Sequence, residues 1–170
     1  MGVKAIVISG SMGSGKTTVL GEMSDILADH GVQHAAIDLD AIGSVLFPDA
    51  AAKPLSLRNL ASVYGNFVDA GITRILLAEA VESRDHFAQL QQALSGADLV
   101  LCRLTADIET MQRRLRTREP GMYQERFVAR AKTLDAALDA AKVEDFTVRN
   151  DARPITDVAR EVLLRSGWIV

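Results

Sequence analysis

Lys16 and Thr17 close the run Gly10-Ser11-Met12-Gly13-Ser14-Gly15-Lys16-Thr17, which fits G-x-x-x-x-G-K-[ST] at every fixed position. These residue types in this order make a phosphate cradle. Glycines let the main chain fold round an anion without Cβ obstruction, so successive N–H groups and the start of the next helix face a β-phosphate. Lys16 brings a point charge to the β- and γ-oxygens, and the Thr17 hydroxyl is the ligand such a loop offers to Mg²⁺. Thr18 has two readings, a contact to the α-phosphate or a hydroxyl occupied with the first-turn backbone.

A phosphoryl-transfer site also needs a carboxylate on the metal side and often another to orient or deprotonate the accepting hydroxyl. Asp38-Leu39-Asp40 follows an apolar run and is placed to supply both, Asp38 towards Mg²⁺ and Asp40 towards the acceptor. Ligands of an open parallel sheet bind beyond the carboxyl ends of its strands. A spacing of two in extended chain sends both side chains the same way. The plainer reading makes Asp40 a cap of a short following helix and leaves Asp38 solvated. Glu79 and Glu82 follow a third apolar run, where they can orient water or substrate or simply begin a helix.

Arg113, Arg114, Arg116 and Arg118 share one helical stretch, followed by the breaker Glu119-Pro120-Gly121 and a second stretch bearing Arg126 and Arg130. The pattern reads as helix, short lid, helix, with the lid at about 114–130. Arg114 and Arg118 are four apart and so fall on one face, where they can clamp a triphosphate and stabilise its charge during transfer. The alternative is a solvated, salt-bridged helix. The segment Asn150-Asp151-Ala152-Arg153-Pro154 joins the last apolar run to the last helix, and Arg153 is there either to stack on a base or as an exposed loop arginine.

Elements of a definite kind must hold these groups in place. Apolar runs at 3–9, 33–39, 72–78, 97–104 and, more weakly, 145–149 alternate with helix-length amphipathic stretches at 15–29, 55–70, 83–94, 107–118, 124–141 and 155–166. Repeated β-α alternation predicts an α/β fold with a parallel sheet. The segment 43–54 reads as irregular, a candidate substrate loop or lid. At 170 residues, 48% hydrophobic and 24% charged, the chain suits a single domain spanning 1–170. A net charge of −3 gives no global basic field for nucleic acid or an anionic membrane. No run approaches the ~20 apolar residues of a membrane span, and the first residues lack the long apolar stretch of a signal peptide; a cytoplasmic location is expected. Cys102, the sole cysteine, reads as a small buried residue. Tyr64 and His34 read as structural, with substrate contact as the lesser alternative.

Taken together, the chain resembles the small P-loop kinases, the group holding adenylate, shikimate, gluconate and adenylylsulfate kinases and chloramphenicol phosphotransferase. The resemblance spans nearly the whole chain. Its specific part is 10–17; Asp38, Asp40 and the Arg114-Leu115-x-x-Arg118 pattern support it. It implies a three-layer α/β/α sandwich round a five-stranded parallel sheet of order 2-3-1-4-5 with a short helical lid. It further implies ATP on the loop from Gly10 to Thr18, Mg²⁺ between the phosphates, Asp38 as metal-side carboxylate, Asp40 as substrate-side base, and Arg114 and Arg118 as nucleotide and lid arginines. Two departures leave the acceptor open. The third run is not followed by the Gly-Gly-Gly of shikimate kinases, and Asp38-Leu39-Asp40 lacks the central glycine of adenylylsulfate kinases. The expectation is a kinase acting on a hydroxyl of a small molecule; the rival is an ATP-binding switch that transfers nothing.

Overall fold

Residues 2–43 and 49–170 are described by a computed structural model, with side chains described for 2–43 and 54–170. Strand β1 (Val3–Gly10) lies at the centre of one five-stranded, all-parallel sheet. Its neighbours are β3 (Arg74–Ala78) and β4 (Ala97–Thr105), with β2 (Ala35–Asp38) and β5 (Phe146–Arg149) at the edges. The order is β2-β3-β1-β4-β5, with Ile6 opposite Leu76 on one side and Val100 on the other. This is the expected α/β architecture and sheet order.

An unbroken apolar run makes a central strand because both of its faces are covered. Ile6 and Ile8 point into one core with Met23 and Leu27 of α1 (Lys16–Asp29) and Val158 and Val162 of α7 (Ile155–Arg165). The alternate residues Ala5 and Val7 enter a second core with Leu60 of α3 (Asp49–Asp69) and Leu90 of α4 (Arg84–Ala93). Each such buried Ile, Leu or Met contributes about 1.5–3 kcal/mol, so the central strand is locked against slippage of the loop it carries. A third, smaller cluster joins Leu115 of α5 (Ile108–Arg118) to Val128 and Ala131 of α6 (Gln124–Ala141), with Met12 packed against it. The side chain of Met12 thereby ties the Gly-rich loop to the helical arm expected as the lid.

Two boundaries differ from the expectation. The second strand ends at Asp38, and Leu39 already begins a one-turn helix, α2 (Leu39–Gly43). α3 starts at Asp49, six residues earlier than its periodicity suggests, and runs through Pro54. Pro54 is the sixth residue of this helix, past the four N–H groups that have no intrahelical partner, so the helix continues through it at the cost of one main-chain hydrogen bond. Residues 44–48 of the segment read as irregular lie outside the described residues.

Candidate functional site

The loop after β1 lies at the carboxyl edge of the sheet between β3 and β4, where the chain changes direction and an open α/β sheet forms its ligand crevice. Gly13 and Gly15 have φ of 78° and 98°, the left-handed region that side chains avoid. Space imposes glycine there as well. A Cβ on Gly13 would stand 2.5 Å from the Met111 carbonyl oxygen of α5, and one on Gly15 would overlap the Asn150 amide. Lys16 opens α1, so the orphan N–H groups of Lys16, Thr17 and Thr18 sit at a helix N-terminus. The Lys16 ammonium donates to the carbonyls of Gly10 (3.0 Å) and Ser11 (3.4 Å). Burial pulls its pKa below the ordinary lysine value, while the nearby Asp40, Glu79 and Asp38 carboxylates pull the other way. Ser11 is buried and donates from Oγ to the Ala131 carbonyl of α6 at 2.6 Å. Ser14 is also buried, its hydroxyl without a hydrogen-bond partner among the described residues. Thr18 is exposed.

Thr17 and Asp38 meet directly, Oγ1 donating to Oδ2 at 2.7 Å. The other Asp38 oxygen accepts the main-chain N–H of Asp40 at 3.1 Å. The cap of the short helix is therefore Asp38, and Asp40 lies inside its first turn. Asp40 does not follow Asp38 in extended chain as expected, because residues 39 and 40 are helical. Asp40 still faces the loop, since α2 turns into a cleft of about 620 Å³ lined by Lys16, Asp40, Glu79, Glu82, Arg118 and Arg130. Glu79 stands 3.7 Å from Nε2 of the buried His86, and Glu82 stands 3.5 Å from Arg130. The sequence left Glu79 undecided and gave Arg130 no separate role; both line the cleft because β3 ends at its rim and α6 crosses above it.

The arginines have different partners. Arg118 is exposed at the cleft, its Nε 2.8 Å from Glu119 Oε1. Arg114 turns onto the loop and donates to the carbonyls of Gly13 (3.2 Å) and Asn150 (2.7 Å). Arg153 pairs with Glu161 of α7 at 2.6 Å. Tyr64 donates to the Ser95 carbonyl at 3.2 Å, and the His34 ring is 2.8 Å from both the Ser24 hydroxyl and the Val32 carbonyl. Neither lines the cleft. Lys53 and Arg58 are cations whose type suits an anionic acceptor; Arg58 is exposed, and Lys53 lies outside the described side chains.

Asn150 carried only a positional expectation. It is buried, and its amide donates to the Ser14 carbonyl at 2.7 Å across 136 residues of sequence.

No family model matches this sequence, and no curated protein does. Solved structures do. The APS kinase of Mycobacterium tuberculosis, in complex with AMPPNP and APS, superposes with a TM-score of 0.69 at 22% identity, covering 95% of this chain and 96% of that one. A gluconokinase from Sinorhizobium meliloti gives 0.66 at 19% identity, covering 96% of this chain and 91% of the other. The shikimate kinase of Acinetobacter baumannii, in complex with shikimate, gives 0.64 at 17% identity, covering 99% and 96%. The fold is that of the small P-loop kinases. Within this P-loop kinase fold the donors at Thr17 and Asp38 are a hydroxyl and a carboxylate, the hard oxygen pair that suits Mg²⁺. Among the described residues no group of three or more His, Cys, Asp or Glu is placed to hold a metal. A divalent ion here would take its remaining ligands from phosphate and water, as Mg²⁺ does in such sites.

Proposed function

We propose that this chain is a Mg²⁺- and ATP-dependent phosphotransferase that moves the γ-phosphoryl group to a hydroxyl of a small molecule. The carrying observation is a cleft of about 620 Å³ that has the P-loop Lys16 and the carboxylate of Asp40 in its lining. Its volume suits a small acceptor, for which sites of about 300–1,000 Å³ are usual. The neighbouring folds named as gluconokinase and shikimate kinase support phosphoryl transfer to a small molecule.

In this reading the P-loop amides and the Lys16 ammonium hold the β- and γ-phosphates of ATP. Thr17 and Asp38 would hold Mg²⁺, which supplies charge neutralisation between the phosphates when bound. Asp40 accepts the proton of the acceptor hydroxyl as its oxygen bonds to the γ-phosphorus and the bond to the ADP oxygen breaks. Arg118, at the free end of α5, reaches the cleft and offsets charge on the moving group, and closure of the 114–130 arm excludes water. Arg153 belongs to the segment from 150 to 154, which this reading assigns to the base of the nucleotide.

The test is incubation with Mg·ATP and a pooled set of hydroxylated metabolites, nucleosides and antibiotics, read by mass spectrometry for products heavier by one phosphoryl group. A product that disappears with Lys16→Ala and Asp40→Asn supports the reading. ATP binding that switches affinity for a partner protein, with no phosphorylated product, would establish the non-transferring alternative.

A further inference from the structure

The outer side of the P-loop, away from the cleft, is held by a three-way junction that the reaction scheme above does not use. Two consecutive loop carbonyls leave the loop to find donors. Gly13 O accepts from the Arg114 guanidinium of α5 at 3.2 Å, and Ser14 O accepts from the Asn150 amide at 2.7 Å. The two donors are themselves joined, Arg114 donating to the Asn150 carbonyl at 2.7 Å. Asn150 is fixed from a third side, its main-chain N–H donating to Thr105 O at 2.7 Å as an extension of the β4–β5 ladder. The absence of a Cβ at Gly15 is what lets the Asn150 amide come this close.

A trans peptide sets its C=O and N–H antiparallel. Drawing Ser14 O towards Asn150 therefore aims the Gly15 N–H at the opposite side. Drawing Gly13 O towards Arg114 turns the Ser14 N–H inward, where it closes the loop on Ser11 O at 3.1 Å. An unheld loop of glycines and serines can rotate these peptides and present carbonyl oxygens to phosphate oxygens, which repel. Fixing the dipoles before the ligand arrives removes that reorganisation from the cost of binding.

We propose that Asn150, together with Arg114, is a positioning residue that presets the Ser14–Gly15 peptide of the P-loop for a polyphosphate, acting through the loop without touching the ligand. The inference rests on the nucleotide-binding reading above and adds to it a determinant of phosphate affinity on the far side of the loop. Because Arg114 belongs to the same helix as Arg118, the junction also joins the lid arm to the cradle by hydrogen bonds.

The test is calorimetric titration of the full chain with Mg·ATP and with pyrophosphate, which engages the cradle alone, alongside thermal unfolding. Asn150→Leu keeps the volume and the charge and removes the donor; both ligands are expected to bind at least about tenfold more weakly, a loss of about 1.4 kcal/mol. Asn150→Asp places an acceptor against Ser14 O. It is expected to bind more weakly still at pH 8 and to recover as the pH falls towards 5, because a protonated carboxyl regains a donor. Asn150→Leu is expected to show no such recovery. A folded Asn150→Leu that binds both ligands within twofold of wild type overturns the proposal. If that variant does not fold, the Asn150→Asp pH series decides, and a flat series overturns it. Wild-type protein that binds neither ATP nor pyrophosphate overturns the nucleotide reading itself, a result seen before any variant is compared.

Discussion

Thr17 Oγ1 donates a 2.7 Å hydrogen bond to Asp38 Oδ2, joining the first turn of α1 to the end of β2. The two residues are 21 apart in sequence and come from different elements. Their meeting follows from the parallel sheet, which brings the ends of β1 and β2 to one edge, with β3 between them.

That contact makes a prediction about divalent dependence. Asp38→Asn retains an oxygen to accept the Asp40 N–H, so the cap of α2 survives. What is lost is the charge, and a hard cation bound by few protein groups depends on each charge strongly. The Mg²⁺ concentration for half-maximal phosphoryl transfer is expected to rise by about tenfold or more, with unfolding little changed. A Mg²⁺ titration identical to wild type would remove Asp38 from the metal side.

Asp40 lines the cleft and is exposed, so its substitution is not expected to disturb packing. Asp40→Asn should lower kcat by about 10²–10⁴, the usual worth of a positioned general base. Mg·ATP affinity should stay within about threefold, as expected for a group that acts on the acceptor. Equal loss of nucleotide affinity and turnover would assign Asp40 to the nucleotide instead.

The parts of this site legible in the sequence are those whose chemistry needs neighbouring residues. The P-loop is read directly because a phosphate nest is built from consecutive amides, and Asp38 is read because strand ends collect ligands. A short helix is read only as an alternative, beginning after Asp40 rather than at Leu39, because one helical turn is too short to show a 3.6-residue period and Leu39 reads as strand. The start of α3 is missed because Pro54 looks like a breaker, whereas the helix runs through it and gives up one main-chain hydrogen bond there. Asn150 carries no local signal at all; its meaning lies in the Ser14 carbonyl, 136 residues away in sequence. Arg103 lies inside an apolar run, where a charge can stay only if partners from elsewhere in the chain come to it, and a local pattern does not show them.

Cys102 is fully buried among Ile8, Leu104 and Val148, and burial pushes its thiol up to about 12. An ordinary thiol ionises near 8.5, so the native protein should resist thiol-specific reagents at pH 8 and release one equivalent only on denaturation. A raised native pKa gives a contribution to stability that is complete below the unfolded thiol value and is lost as the pH rises towards 12. Comparison of Cys102→Ala with wild type across alkaline pH should show the wild type losing the extra stability. Rapid labelling of the folded protein would contradict this burial.

Arg103 lies on β4 and is buried, yet its guanidinium reaches α6, with Nη1 2.7 Å from Asp139 and Nη2 2.8 Å from Asp135. Glu144 stands 3.9 Å away. The network fastens α6, the helix that also receives the Ser11 hydroxyl of the P-loop at Ala131. Breaking a buried pair from one side costs about 3–5 kcal/mol when the orphaned charge stays buried. Here the Asp139 side chain is 71% exposed and can rehydrate, so Arg103→Met is expected to lose about 2–3 kcal/mol, towards or below the lower end of that range. Asp139→Asn, which leaves Arg103 paired to Asp135, should lose less than about 1 kcal/mol. Denaturant unfolding of the two variants separates the cases. Equal losses would place the stabilisation in Asp139 alone, whereas an Arg103→Met as stable as wild type would mean that the methionine's packing offsets the whole network.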